Sequence, residues 1–238
     1  MTTEIAGQLN AEERALLTRA ITGAPTPPEI VLEVGTWLGG GSTVHILRAL
    51  EKNSRGHLWG IEADRSIYDQ MLANLRAAAP ETLHRFTPLF GISEKVIPPW
   101  LRELGQGAQV DLAFLDGGNN PGEQMAELRL LDPFIPIGGQ ILAHDARMRK
   151  GKWLVPYLSR LDNWEVQLHG ISDVGLLSAR KIALKPSRES KRAADVALWK
   201  MRCNPAEIAA TWLPSSVCEF CLRLLPRRFA RRLSDGCK

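Results

Sequence analysis

At 238 residues, 45% apolar and 24% charged, the chain suits one α/β domain plus an appendage, with material for a sizeable core. Its net charge of +4 is unevenly placed: residues 186–238 hold 11 Lys+Arg against 5 Asp+Glu, the remainder 19 against 21. The main domain is thus near neutral and shows no electrostatic footprint for nucleic acid. All four cysteines (Cys203, Cys218, Cys221, Cys237) fall in the tail, so no disulfide framework is expected in the core. The N-terminal stretch MTTEIAGQLNAEER lacks the basic start and apolar run of a secretory signal. No apolar run reaches the roughly 18–20 residues that span a bilayer, and a cytoplasmic setting is expected.

Taken in chain order, residues 8–22 read as an amphipathic helix stopped by GAPTPP. Ile30–Val34 is a short β-branched strand followed by a glycine-rich turn, Gly35–Gly41. Ser42 is placed to cap a helix running to about Lys52. Residues 57–62 read as a strand and 65–79 as a helix ended by Pro80. A third strand is expected over 83–89, then a partly helical stretch over 94–104 interrupted by Pro98-Pro99. Strands at 110–115 and 139–143 flank a helix at 121–131. A helix at 153–161 and a closing pair of strands at 164–168 and 175–183 complete the domain.

Strands alternating with helices predict a Rossmann-like, doubly wound, mostly parallel α/β sheet. Seven strands are expected, the last antiparallel, followed by a helical C-terminal extension. The expected division is an N-terminal helix and linker over 1–27, a ligand-binding domain over 28–185 and a basic extension over 186–238. Such sheets bind ligands at the carboxyl ends of their strands. Here those ends carry Glu33, Glu62, Gly91, Asp116 and His144-Asp145, a mostly acidic set.

The loop VLEVGTWLGGGS (31–42) is a glycine turn between strand and helix. Against the dinucleotide fingerprint G-x-G-x-x-G, Trp37 stands where the second glycine lets a pyrophosphate touch the chain. Glu33 would repel that pyrophosphate. A cationic sulfonium ligand without phosphate reverses both objections. Glu62, 21 residues beyond Gly41, is placed to accept from both hydroxyls of a ribose.

These residues resemble the class I S-adenosylmethionine (SAM)-dependent methyltransferases, and more particularly the catechol-type small-molecule and saccharide O-methyltransferases. The family pattern E-x-G-x-x-x-G-x-S is met at Glu33, Gly35, Gly39 and Gly41, with the trailing serine displaced to Ser42. Gly91-Ile92-Ser93, LDGGNN (115–120) and GGQILAHDA (138–146) are similar to the family's later strand-end motifs. The resemblance covers roughly residues 28–183. It implies SAM as cofactor, held by Glu33, Gly35, Thr36, Gly39, Gly41, Ser42, Glu62, Gly91, Ser93 and Asp116. It implies methyl transfer to an oxygen of a small-molecule, saccharide or lipid-linked acceptor. A NAD- or nucleotide-sugar-dependent enzyme and a non-catalytic SAM-binding module are the alternatives.

Asp116, His144 and Asp145 are the candidate catalytic residues. In one reading Asp116, His144 and Asp145, with Asn120 nearby, converge on Mg²⁺ or another divalent cation. The family's Asp-Asn pair reads His144-Asp145 here, and its lysine three residues after the fourth-strand Asp is replaced by Asn119. In a second reading His144 is the general base, oriented by Asp145 or Asp116. In a third, Asp116 contacts SAM and His144 is only hydrogen-bonded at a strand end. Arg147, Arg149, Lys150 and Lys152 form either a solvated loop or a cationic rim for an acidic acceptor. The tail has apolar positions at helical spacing and a basic run, PRRFARR. It is read as covering the site, lying on an anionic membrane surface, or contacting a second copy in a homodimer. Nucleic acid is disfavoured as partner, and the single pair Cys218/Cys221 is a weak basis for zinc.

Overall fold

The structure is a computed structural model and describes residues 5–203. Its parallel strands are β1 (Ile30–Val34), β2 (His57–Glu62), β3 (Phe86–Phe90), β4 (Leu112–Leu115) and β5 (Gln140–His144). β6 (Trp164–His169) and β7 (Leu176–Lys181) follow, with β7 antiparallel to both neighbours. The single sheet has the order β3-β2-β1-β4-β5-β7-β6. Order reverses between β1 and β4, and the crevice at their carboxyl ends is where such a sheet admits a ligand.

Period-two alternation places each strand residue in one of two cores. Val31, Leu112, Phe114 and Leu142 face α1 (Ala11–Thr22), α2 (Thr43–Lys52) and α3 (Arg65–Ala78). Leu32, Ala113, Leu115, Ile141 and Ala143 face α4 (Ser93–Glu103), α5 (Pro121–Leu131), α6 (Gly151–Leu158) and α7 (Arg188–Arg202). The same alternation turns Glu33 and His144 toward the α1–α2 layer, and Asp116, the residue after Leu115, follows suit. Three polar strand-end side chains thereby share one side of the sheet.

Several sequence expectations shift. Pro80–Arg85 forms a 3-10 turn, so the third strand begins only at Phe86. Pro98 and Pro99 do not interrupt α4. The prolines remove two donors to Glu94 and Lys95, both exposed, while Ile97, Trp100 and Leu101 are buried in the core. Helix α7 places Ala194 and Leu198 in the same core as α6, so the first part of the basic extension packs on the domain. Cys218, Cys221, Cys237 and the basic run of the tail lie outside the described residues. No described helix is long and apolar enough to cross a membrane.

Candidate active site

Glu33, the penultimate residue of β1, has a side chain fully excluded from solvent. The Ser42 hydroxyl donates to its Oε1, and its Oε2 has no hydrogen-bond partner. Burial pushes its pKa up to about 8, although the Ser42 and Thr43 hydroxyls work against that and the Asp116 and Glu62 charges with it. Ser42 is thus no cap of α2: it makes no side-chain cap bond, because the buried carboxyl behind it claims its hydroxyl.

The turn that follows needs glycine at two places. Gly35 has φ +86°, and a Cβ there would lie 2.6 Å from the Asp116 carbonyl oxygen, so β1 and β4 meet backbone to backbone at the switch point. Gly39, also at φ +86°, lies against Met71 and Leu75 of α3. Gly40 and Gly41 serve a purpose the sequence does not announce. A Cβ on Gly40 would be 2.3 Å from the Ile5 and Ala6 carbonyl oxygens, and one on Gly7 would be 2.4 Å from the Gly41 nitrogen. The N-terminal segment lies directly on the loop, so Gly41 is covered by protein. Thr36 is buried beside Gly60, its hydroxyl unpartnered.

Trp37 adopts φ +45°, and its N–H donates to Glu62 Oε2 at 2.9 Å. The N–H groups of Ala63 and Asp64 donate to Glu62 Oε1 at 2.9 and 3.0 Å. Three backbone donors thus fix a half-buried carboxylate at the end of β2, leaving about one of its four acceptor positions for a ligand hydroxyl. Beside it, Phe90 and Ile92 are 47% and 54% exposed on either side of Gly91, whose φ is +137°. Phe90 packs edge-on against Tyr68 at 5.6 Å. Two exposed apolar side chains next to a ribose-type acceptor form an edge on which a flat base can lie. Ser93 looks the other way: its hydroxyl donates to buried Glu127 at 2.6 Å, whose carboxyl burial pushes up to about 7, with the Ser93 bond opposing.

At the ends of β4 and β5 the structure brings Asp116, His144 and Asp145 together and adds two residues. His144 is 4% exposed. Its Nδ1 lies 3.3 Å from Asp116 Oδ1 and 3.4 Å from Asp145 Oδ1, and its Nε2 lies 3.4 Å from Glu13 Oε1. These are ion-pair distances without hydrogen-bond alignment, for neither ring nitrogen has a well-directed partner. Burial alone would lower the His144 pKa, but the Asp116 and Asp145 carboxylates outweigh it and push it up to about 10. His144 therefore holds its proton at neutral pH, and the resting base suggested by its type and place is not available in that form. Burial likewise works against charge on Asp145, yet His144 and Lys150 bring its pKa down to about 2. Asp145 adopts φ +55°, a left-handed conformation that Asp tolerates better than most residues.

Lys150 is 5% exposed, neither solvated loop nor rim. Its Nζ lies 2.6 Å from Asp116 Oδ1, 2.9 Å from Asp145 Oδ2 and 3.3 Å from the Gly117 carbonyl oxygen. Burial opposes its charge, and the two carboxylates raise its pKa nonetheless. Asn120 stands apart from this group: its amide oxygen accepts from Gly122 N at 2.8 Å within the capping box of α5. Asp116, His144 and Asp145 each offer an atom within 4.8 Å of the others, but the lysine ammonium already sits on both carboxylates. The donor set therefore does not fit a divalent ion.

Sequence reading missed Glu13 and Gln124. Glu13 is a capping-box residue of α1 whose Oε1 also accepts from Ser172 Oγ at 2.5 Å; the box is legible in the sequence, the contact with His144 is not. Gln124 donates to the carbonyl oxygens of Leu115 at 3.4 Å and His144 at 3.3 Å, tying together the ends of β4 and β5.

A family model described as a methyltransferase domain matches residues 32–146. A search of curated proteins gives no match to the chain. Among solved structures, a Klebsiella pneumoniae protein provisionally assigned as an O-methyltransferase superposes with TM-score 0.60 at 20% identity, over 74% of this chain and 82% of that one. An O-methyltransferase from Bacillus cereus, in complex with S-adenosylhomocysteine (SAH), gives 0.56 at 18%, over 73% and 82%. A methyltransferase from Geobacter sulfurreducens gives 0.56 at 16%, over 74% and 80%. The matched region runs from the glycine loop through the fifth strand end, so over residues 32–146 the chain is similar to a methyltransferase domain, and the superposed methyltransferases share its fold.

Proposed function

We propose that the chain transfers the methyl group of SAM to an oxygen atom of its acceptor. The observation that carries this reading is the buried cluster of Glu13, Asp116, His144, Asp145 and Lys150 beside the glycine loop. Glu62 would accept from a ribose hydroxyl, and Phe90 and Ile92 would flank the adenine. The family resemblance favours acceptor hydroxyls on small molecules, saccharides or lipid-linked precursors.

Methyl transfer is an in-line displacement. The acceptor oxygen forms its bond to the methyl carbon as the carbon–sulfur bond breaks, and the electron pair of that bond stays on sulfur to give SAH. The hydroxyl proton becomes strongly acidic as the new bond forms, so a weak base suffices. Asp145, the more exposed of the two strand-end aspartates, is assigned to receive it and pass it to water. His144 and Lys150 keep the carboxylates ionised and in place. The test is SAH release against a panel of hydroxyl acceptors. Asp145→Ala and His144→Ala should lower turnover by about a hundredfold or more while changing SAM affinity far less. Near-wild-type turnover in both variants would remove the reaction centre from this place.

A further inference from the structure

Two carboxylates at the mouth of a methyltransferase fold invite a divalent ion, and in this chain a lysine stands between them. We infer that Lys150 is the resident cation of the reaction centre, taking the place a metal would have, so that the site neither needs nor admits a divalent ion. The inference rests on reading the Asp116–Asp145 cluster as the reaction centre.

The geometry supports it in three ways. First, the ammonium donates to Asp116 Oδ1 at 2.6 Å and to the Gly117 carbonyl oxygen at 3.3 Å and pairs with Asp145 Oδ2 at 2.9 Å, so one cation already occupies the space between the two carboxylates. Second, a hard dication is held through one or two carboxylates with waters completing its shell, and here both carboxylates already carry the ammonium. The third residue of the cluster is an imidazole, and the Asn120 amide oxygen caps a helix. Third, the chain is built to deliver the lysine there. Asp145 turns through φ +55°, its carbonyl oxygen accepts from Met148 N at 2.9 Å, and that of Met148 accepts from Gly151 N at 3.2 Å. Gly151 then passes so close to Ala146 that a Cβ would lie 2.4 Å from its carbonyl oxygen. The loop thus coils back and lays Lys150 over the aspartate five residues before it. Lys150 is a positioning residue, holding two carboxylates at a fixed separation as a metal ion would.

Binding of Mn²⁺ by the purified full chain, read from loss of the free-ion electron paramagnetic resonance signal, tests this apart from activity. The wild-type chain should leave the signal unchanged, and SAH formation with an acceptor should survive EDTA. Lys150→Met should gain at least about tenfold in Mn²⁺ affinity, equivalent to about 1.4 kcal/mol, and Asp116→Asn in that background should abolish the gain. Lys150→Arg should behave as wild type. Wild-type uptake of Mn²⁺ that Asp116→Asn removes would overturn the inference, as would a folded Lys150→Met chain that takes up none. If Lys150→Met does not fold, the wild-type titration and the EDTA assay decide the question. Failure to bind SAM would instead sink the proposed function, and calorimetry with SAM reads that separately.

Discussion

Glu33 is the residue whose state is most exposed to experiment. Its folded pKa of about 8 lies above the ordinary value of 4.5, so between these limits the folded chain keeps a proton that the unfolded chain has shed. Stability from this group is fully present below about pH 4.5 and is lost as pH rises through about 8. The loss is on the order of 1.4 kcal/mol per pH unit inside that window. Glu33→Gln keeps the shape and removes the titration, so denaturant unfolding at pH 5 and pH 8 should show a weaker pH dependence in the variant. Parallel curves would mean that the carboxyl is ionised and paired in the folded chain. Gly35 makes a second residue-scale prediction. Gly35→Ala combines a positive φ with a clash against the Asp116 carbonyl, and should cost about 1–3 kcal/mol and abolish SAM binding.

At the scale of elements, the strands were legible because short apolar runs alternate between two cores, and the helices because glycine and proline punctuate them. The strand-end list from the sequence holds Glu33, Glu62, Asp116, His144 and Asp145, which the structure gathers at one edge of the sheet. What escaped were contacts that no local pattern encodes. Glu13 and His144 are 131 residues apart. Lys150 sits in a run of basic residues whose composition suggests solvent, and only the coil from Asp145 to Gly151 turns it inward. Ser42 had the right type and place for a cap, and a buried carboxyl competed successfully for its hydroxyl. The polar N-terminal stretch gave no sign that Ile5–Gly7 would lie on the glycine loop. That packing predicts an indirect effect: Gly7→Ala should displace the segment and weaken SAM binding, although Gly7 need not touch the ligand. Unchanged affinity, measured calorimetrically beside wild type, would show that the loop holds its shape unaided.

For the whole molecule, topology does the gathering. Parallel strands place their carboxyl ends along one edge, and the reversal between β1 and β4 opens the crevice there. Glu33, Glu62 and Asp116 then meet around a glycine turn that has a tryptophan where a diphosphate would need a bare backbone. The central claim is that this crevice, with Glu62 placed to accept from a ribose and Trp37 where a pyrophosphate needs bare backbone, selects SAM over a diphosphate cofactor. Parallel calorimetric titrations of the wild-type chain with SAM and with NAD⁺ test it most directly. Saturable heat with SAM and none with NAD⁺ is predicted; binding of NAD⁺ with indifference to SAM would contradict it.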